Sequence, residues 1–308
     1  MSRMRSFNAG GQRFLDSLST IDIGGLNYAY RRVGSPGGQP LLLLHGLMDT
    51  SASFARLVDA LAVDGDPGFD VIAPDWRGHG QSQATPGEYW FPNYLADLDA
   101  LLDALDIARP AVLIGHSMGG QIASLFAGVR PERSAALIAL DSLNIPDSDP
   151  GEAPTRYRSW MNARHHSTAR QPTVYNDPDQ LIARLARRYP ELDQSERSEL
   201  AAHWLVPGPE GWRLHVDPSH QGRMPYGFRA AEAKAIWQNV ACPVFCLDGG
   251  RSPVARLISA EEMAERRACF ADMTQHSLPG CGHMLHIQAP RDVAAHINDF
   301  LARIETPG

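Results

Sequence analysis

Short apolar runs alternate with helical patterns along most of this chain. Each run is bounded by turn residues, as expected of a strand that is buried on both faces of a parallel sheet. The predicted strands cover 41–44, 71–73, 111–115, 135–140, 243–247 and 273–278. The predicted helices cover 51–62, 93–106, 121–127, 257–269 and 290–303. This alternation predicts an α/β protein in which helices flank both faces of a mostly parallel sheet.

The N-terminal part departs from this alternation. We expect residues 1 to about 12 to form a disordered or loosely docked leader. The stretch from Ile21 to Tyr30 has two strand patterns around Gly24 and Gly25, which predicts a hairpin.

The interval from residue 142 to about residue 240 interrupts the alternation again. It holds helical patterns, prolines and bulky aromatic residues, but no further βαβ repeat. We therefore expect a helical cap that is inserted between two parts of one core, residues 1–141 and 241–308. The insertion follows strand 135–140, so it emerges at the carboxyl edge of the sheet, where open α/β sheets bind their ligands.

Aromatic and apolar side chains in the first segment of this cap are candidates for substrate contact. A site that excludes water and holds an apolar substrate needs such side chains above it, so we expect Tyr157, Trp160 and Met161 to face the site. The alternative is that these residues only pack the cap onto the core.

Three arginines of the cap lie on one probable helix. Arg184, Arg187 and Arg188 offer positive charge to an acidic substrate. The alternative is a solvated helix face that pairs with Glu191 and its neighbours.

The most informative stretch is a strand that ends at a serine flanked by glycines. Gly115-His116-Ser117-Met118-Gly119 matches the Gly-x-Ser-x-Gly nucleophile elbow. The sharp turn holds the serine in a strained backbone conformation, and the two glycines leave out side chains that would collide with the neighbouring strand and helix. Ser117 is the candidate nucleophile. The alternative is a glycine-rich turn with an idle serine.

A serine hydroxyl needs a base within hydrogen-bonding reach, and its attack creates an oxyanion that needs donors. His283 follows the last predicted strand in a glycine-rich loop at the same sheet edge, and we choose it as the base over its neighbour His286. The backbone N–H groups of Met118, after the nucleophile, and Leu47, after strand 41–44, are the predicted oxyanion donors.

Composition and charge add mainly exclusions. A net charge of −7 gives no electrostatic reason to expect nucleic acid or an anionic membrane as partner. The four scattered cysteines are expected to be reduced structural thiols. No apolar segment follows the basic N-terminal residues and no stretch approaches a membrane span, so a cytoplasmic location is the default. We expect a small-molecule substrate, no metal and no cofactor, and the oligomeric state stays open.

Four motifs occur in an order that points to one family. They are Leu44-His45-Gly46, Asp75 to Ser82, Gly115 to Gly120 and Gly282-His283. In this order they resemble the α/β-hydrolase fold family, over the core from about residue 20 to the C-terminus. A cap after the sixth strand is similar in arrangement to the serine hydrolase-like proteins and to ring-cleavage-product hydrolases. Epoxide hydrolases share the arrangement, but they use an aspartate where this chain has Ser117.

The resemblance leaves the catalytic acid open. Family members usually carry this aspartate a few residues past the seventh strand, and Ser252 occupies that position here. Two replacements are available, Asp141 at the end of the sixth strand and Asp248 at the end of the seventh. We favour Asp141, because the role demands a buried carboxylate that is directed at the second imidazole nitrogen.

The resemblance implies a serine hydrolase that cleaves an ester or related acyl bond through an acyl-enzyme intermediate. A carboxylic ester is the leading substrate, and lactone, thioester, amide or carbon–carbon bonds are hydrolysed by the same constellation. An alternative of a different class is a ligand-binding member of the fold in which hydrolysis is slow or absent.

Overall fold

The strands of the protein form one large sheet and one small sheet. The computed structural model describes residues 9–61, 68–86, 88–165, 172–222 and 224–305. The strands in these ranges are β1 (Leu18–Ile23), β2 (Leu26–Gly34), β3 (Gln39–Leu44), β4 (Phe69–Pro74), β5 (Ala111–His116), β6 (Ser134–Leu140), β7 (Val174–Tyr175), β8 (Leu205–Gly208), β9 (Gly211–Leu214), β10 (Val244–Gly249) and β11 (Met273–Leu278). The large sheet has the order β1-β2-β4-β3-β5-β6-β10-β11, and the small sheet has the order β7-β9-β8.

Pairing within the large sheet is parallel from β4 to β11, while β1 and β2 form an antiparallel hairpin at one edge. Gly24 and Gly25 make the hairpin turn with φ angles of 62° and 88°, in the left-handed region that glycine adopts without strain. The mostly parallel sheet and the hairpin are confirmed.

Helices connect the strands and cover the sheet. They are α1 (Ala9–Asp16), α2 (Ala55–Leu61), α3 (Phe91–Ala104), α4 (Met118–Val129), α5 (Ala153–His165), α6 (Pro178–Arg188), α7 (Gln194–Trp204), α8 (Ala230–Trp237), α9 (Ala260–Arg267), α10 (Leu285–Gln288) and α11 (Pro290–Glu305). The prediction of a leader through residue 12 is wrong for residues 9–12, because α1 begins at Ala9, and its Phe14 is completely buried. Residues 1–8 lie outside the described ranges.

Two apolar layers, one on each face of the sheet, explain the uninterrupted leucine run of β3. Successive strand residues point to opposite faces. Leu42 and Leu44 therefore join the layer that contains Leu98 of α3, while Leu41 and Leu43 join the layer on the other face. All four leucines are fully buried, so β3 lies at the centre of the molecule and its carboxyl end is surrounded by other elements.

The segment between β6 and β10 contains α5 to α8 and the small antiparallel sheet. The sequence analysis predicted only helices here, because β7, β8 and β9 are two to four residues long and too short to show a strand period. The predicted cap, which ends at residue 240, also includes α8, a helix that packs on the core. Trp237 of α8 is fully buried, and its indole N–H donates to the Ser124 hydroxyl of α4 over 2.9 Å.

Two observations concern membranes and thiols. None of the helices in the described ranges is long and apolar enough to cross a membrane. All four cysteines are free thiols, and three of them are buried. Burial raises the pKa of Cys246 on β10 to about 12, which keeps this thiol protonated.

A buried ion pair joins the loop after β4 to α3. The Arg77 guanidinium donates two hydrogen bonds of 2.6 Å to the carboxylate of Asp97, and the hydroxyl of Tyr28 donates a third over 3.0 Å. Arg77 and Asp97 are 6% and 5% exposed. Removal of one partner from such a pair leaves an uncompensated buried charge.

We therefore predict that Asp97→Asn lowers the free energy of unfolding by about 3 kcal/mol. Asp99→Asn on the same helix is the control, because Asp99 pairs with Arg130 and Arg133 in a more exposed position. It should cost about 1 kcal/mol or less. Urea unfolding of both variants measures the difference, and equal losses would show that the buried pair is not a special element of the fold.

Candidate active site

The elbow serine lies between β5 and α4. Ser117 has φ 52° and ψ −117°, a strained conformation for a residue with a side chain. A Cβ on Gly115 would come within 2.4 Å of the backbone of Gly119, and one on Gly119 would come within 2.0 Å of the carbonyl oxygen of Leu44. Both glycines are thus required by close backbone approach, as the elbow motif predicts.

Strained backbone is concentrated around this serine. Besides Ser117, the residues Met48, Asp141 and Leu143 have positive φ angles of 67°, 45° and 67°. Each such residue costs on the order of 1–3 kcal/mol unless its surroundings hold it in place. These residues follow β3, β5 and β6, so four of the five described non-glycine residues with positive φ lie at the carboxyl edge of the sheet, and the fifth, Asp106, follows α3.

His283 and Asp141 are brought together at this edge. The Nδ1 atom of His283 lies 2.5 Å from Oδ2 of Asp141. Asp141 is 1% exposed, and its carboxylate also accepts hydrogen bonds from the Gly249 N–H over 3.1 Å and the Ser252 hydroxyl over 2.5 Å. The residue at the usual acid position of the family therefore contacts the carboxylate that lies beside His283.

Asp248, the alternative acid, has a different partner. Its carboxylate forms an ion pair with the guanidinium of Arg267. Burial raises the pKa of Asp248 to about 6, an effect that the charge of Arg267 opposes. The contact with His283 thus belongs to Asp141.

The sheet order explains how residues from distant parts of the chain meet. The strands β5, β6, β10 and β11 are consecutive parallel neighbours, so their carboxyl ends lie side by side. The residues that follow these ends are Ser117, Asp141, Ser252 and His283.

Ser117 and His283 line the same cavity, which has a volume of about 210 Å³. Side chains from the insertion also line it, among them Arg188, Tyr189 and Trp204. Arg188 is one of the three arginines predicted on a helix of the cap, whereas no sequence pattern marks Tyr189. Tertiary packing decides which face of an inserted segment covers a site, and the sequence pattern does not show this packing.

The predicted substrate contacts lie elsewhere, so this prediction is corrected. Tyr157 and Met161 are 39% and 48% exposed on α5, and neither lines the cavity. Trp160 packs edge-on against Trp90 with 6.4 Å between ring centroids. The alternative of packing fits Trp160, whereas Tyr157 and Met161 lie at the exposed surface of α5.

Trp204 connects the insertion to the core. Its indole N–H donates to Oδ1 of Asp49 over 2.7 Å, and both residues line the cavity. Asp49 is 2% exposed and also accepts from the Thr50 N–H and the Ser53 hydroxyl. Burial nevertheless raises the pKa of the Asp49 carboxyl.

The loop after β3 is fixed against the nucleophile. His45 donates from Nδ1 to the Gly46 carbonyl over 2.8 Å and accepts at Nε2 from the Trp76 N–H over 2.9 Å. A Cβ on Gly46 would lie 3.2 Å from Cβ of Ser117, so the loop backbone passes directly over the elbow. Leu47, which carries one of the two predicted oxyanion donors, lines the cavity.

Met118, the second predicted donor, is the first residue of α4. Backbone N–H groups in the first turn of a helix have no intrahelical acceptor, and they point toward the positive end of the helix dipole. The N–H of Met118 therefore suits an anionic oxygen that forms beside Ser117.

His116 has a structural role that the sequence analysis missed. Its Nε2–H donates to the carbonyl oxygen of His283 over 2.9 Å, so it ties the backbone of His283 to the residue before Ser117. Burial lowers the pKa of His116 well below its usual value, and the neighbouring His286 and His283 lower it further. Its ring is thus neutral.

Behind these residues lies a polar group that has the residue types of a metal site. Asp49, His116 and His286 place their ligating atoms within 4.8 Å of one another, and all three are buried. The Asp49 carboxylate already accepts three hydrogen bonds, so we assign no metal to this group.

Comparison with known proteins agrees with this fold. The model of the family described as alpha/beta hydrolase fold matches residues 39–290. A serine hydrolase-like protein of Dictyostelium discoideum is 26% identical over 301 residues, covering 92% of this chain and 80% of that protein. A 2-(acetamidomethylene)succinate hydrolase of Mesorhizobium japonicum is 26% identical over 281 residues, covering 91% and 94%. Among solved structures, the thioesterase domain from the curacin biosynthetic pathway has the same fold, with a TM-score of 0.79, 23% identity and coverage of 92% and 98%.

The neutral buried histidines predict sensitivity to acid. Burial lowers the pKa of His286 from 6.5 to about 3. Between these values the unfolded chain binds a proton that the folded protein does not, so acidification favours unfolding by up to about 1.4 kcal/mol per pH unit for this group. Stability from this source is present above pH 6.5 and is lost as the pH falls toward 3.

His286→Leu, a substitution of similar volume, should make the decline shallower. We expect the free energy of unfolding, measured by urea titration at several pH values between 6.5 and 4, to fall less steeply with acid than in the unaltered protein. An unchanged slope would mean that His286 is protonated in the folded protein.

Proposed function

We propose that this chain, which belongs to the alpha/beta hydrolase fold family, is a serine hydrolase that cleaves a small ester through an acyl-enzyme intermediate. One observation carries the assignment. The cavity that Ser117 lines is also lined by His283, whose Nδ1 lies 2.5 Å from the buried carboxylate of Asp141. Family membership supports a hydrolase, and the ester bond and the roles of the residues go beyond it.

In the first half of the reaction His283 acts as the base. Asp141 accepts the Nδ1–H of the imidazole, which leaves Nε2 unprotonated and orients it toward the cavity. As the Oγ of Ser117 bonds to the acyl carbon, its proton passes to Nε2 of His283, and Asp141 stabilises the imidazolium that forms.

The negative charge that develops on the acyl oxygen is met by backbone donors. The N–H groups of Leu47 and Met118 are fixed before the reaction begins, and such preorganised donors stabilise the tetrahedral intermediate. When this intermediate collapses, the bond to the alcohol breaks and the leaving oxygen takes the proton from His283. Water then repeats the sequence on the acyl-enzyme, which releases the acid and frees Ser117.

The cavity and the insertion above it favour a small substrate. A volume of about 210 Å³ lies below the range of roughly 300–1,000 Å³ that is typical of sites for drug-sized ligands. Leu47, Trp204 and Val254 provide apolar wall. The insertion thus acts as a cap that limits the length of the acyl or alcohol chain.

The first test of this function is Ser117→Ala. We predict that kcat for an activated ester falls by on the order of ten-thousand-fold or more and that labelling by a fluorophosphonate is abolished. Ser142→Ala is the control, because Ser142 is a buried serine at the same sheet edge and should keep the label. Labelling of a folded Ser117→Ala variant would place the nucleophile elsewhere.

A second test separates the two acids. Asp141→Asn offers its amide instead of a carboxylate to His283 and should reduce kcat by about four orders of magnitude, whereas Asp248→Asn should change kcat only a few-fold. Steady-state kinetics on both variants, with unfolding curves to check the fold, gives the comparison. If Asp248→Asn is the inactive variant, the acid lies at the end of β10 and the assignment is wrong.

The contact between Ser252 and Asp141 permits a third test. Because the two side chains lie 2.5 Å apart, Ser252→Asp places a carboxylate beside the site of the lost one in an Asp141→Asn background. We predict that the double variant is at least about tenfold more active than Asp141→Asn alone, since a carboxylate again stabilises the imidazolium. Equal activities of the two variants would contradict the idea that a carboxylate at residue 252 can replace that of Asp141.

A further inference from the structure

Arg188 is the cationic side chain at the wall of the cavity. It is the last residue of α6, and it lines the cavity together with Ser117 and His283. Its side chain is exposed, so the guanidinium is accessible from solvent while it borders the site.

The position of Arg188 is fixed through Tyr189. The Nε–H of Arg188 donates to the hydroxyl of Tyr189 over 3.0 Å, and the guanidinium lies 5.4 Å from the centre of the tyrosine ring. The ring of Tyr189 lies nearly parallel to that of His283, with an interplanar angle of 23° and 6.5 Å between centroids. Tyr189 therefore neighbours both the cation and the candidate base.

Arg188 differs from other arginines near the site because it has no carboxylate partner among the residues that the structure describes. Three arginines around the site have such partners: Arg56 with Glu199, Arg77 with Asp97 and Arg267 with Asp248. The pairing of Arg188 with Glu191, which was the alternative in the sequence analysis, is not formed within the described ranges. The terminal nitrogens of Arg188 are left to contact a ligand.

The other charged group at the cavity does not compete for this cation. The carboxylate of Asp49 accepts hydrogen bonds from Trp204, Ser53 and the Thr50 backbone. The chain as a whole carries a net charge of −7, which repels anions. A positive group at the wall of the cavity is therefore a local feature that favours an anionic ligand.

We infer that Arg188 binds a carboxylate of the substrate, so that the substrates are esters that carry a second, free carboxylate group. This inference rests on the proposed hydrolase function and narrows its substrate class. The planar guanidinium forms paired hydrogen bonds with a carboxylate. The apolar wall made by Leu47, Trp204 and Val254 suits the methylene groups that separate the carboxylate from the ester.

The experiment compares esters that differ only in this charge. The first pair is monoethyl glutarate and ethyl valerate, in which the carboxylate is on the acyl side. The second pair is 4-acetoxybutanoate and butyl acetate, in which the carboxylate is on the alcohol side. In each pair a carboxylate replaces a methyl group, and hydrolysis is followed in a pH-stat. The ratio of kcat/KM values within a pair measures the preference for the anion.

We predict that in at least one pair Arg188→Gln lowers this ratio by about tenfold, the effect of one lost charge-assisted hydrogen bond at an exposed site. The kcat/KM for the neutral ester stays within twofold. Arg188→Lys retains part of the preference, because it keeps the charge and loses the paired geometry. Arg187→Gln, a neighbour on α6 that does not line the cavity, keeps the full ratio.

The inference is overturned if Arg188→Gln leaves both ratios unchanged, or if Arg187→Gln lowers them equally, since that result indicates a general effect of charge. Binding of glutarate itself, measured by calorimetry, needs no turnover, and it should be weaker in Arg188→Gln than in the unaltered protein. A failure of the hydrolase assignment can therefore be told apart. In that case the unaltered protein hydrolyses none of the four esters, while glutarate still binds more weakly to Arg188→Gln than to the unaltered protein.

Discussion

The hydrogen bond between Asp141 and His283 is the interaction on which the rest of the site depends. It joins loops that follow two strands far apart in sequence, and it exists because β6, β10 and β11 are consecutive neighbours in the sheet. A carboxylate that is 1% exposed is stable only with several donors, and two of them are Gly249 at the end of β10 and Ser252 in the loop after it. The sheet order, the strained backbone of Asp141 and the replacement of the usual acid by a serine are thus parts of one arrangement.

Polar contacts between the core and the insertion form the second constraint. Trp204 donates to Asp49, Arg56 pairs with Glu199, and Tyr89 donates to Asp217 over 2.5 Å. Each contact involves a partly or fully buried charged group. Such a group needs its partner to offset the free-energy cost of its desolvation. These contacts hold the insertion at the sheet edge, where its residues Arg188, Tyr189 and Trp204 line the cavity.

The sequence predicted the elements whose signal is local. The elbow, the parallel strands and the position of His283 follow from short patterns, because glycines at fixed spacing and apolar runs are dictated by neighbouring backbone. The need for a buried carboxylate favours Asp141 over Asp248 as the partner of His283, and the structure has this contact. The contacts of Tyr157, Trp160 and Met161 were misplaced, and Tyr189 was missed, since the packing face of an insertion is set by partners such as Asp49 that are distant in the chain. The role of His116 was missed for the same reason, because its acceptor is a backbone carbonyl 167 residues away.

The most direct measurement of the central claim is proton NMR of the imidazole Nδ1–H of His283. A hydrogen bond of 2.5 Å to a buried carboxylate shifts such a proton far downfield and protects it from exchange with water. The account predicts a downfield resonance in the unaltered protein and in Asp248→Asn, and its loss in Asp141→Asn and in His283→Ala. A downfield resonance that survives in a folded Asp141→Asn variant and disappears in Asp248→Asn would contradict the account.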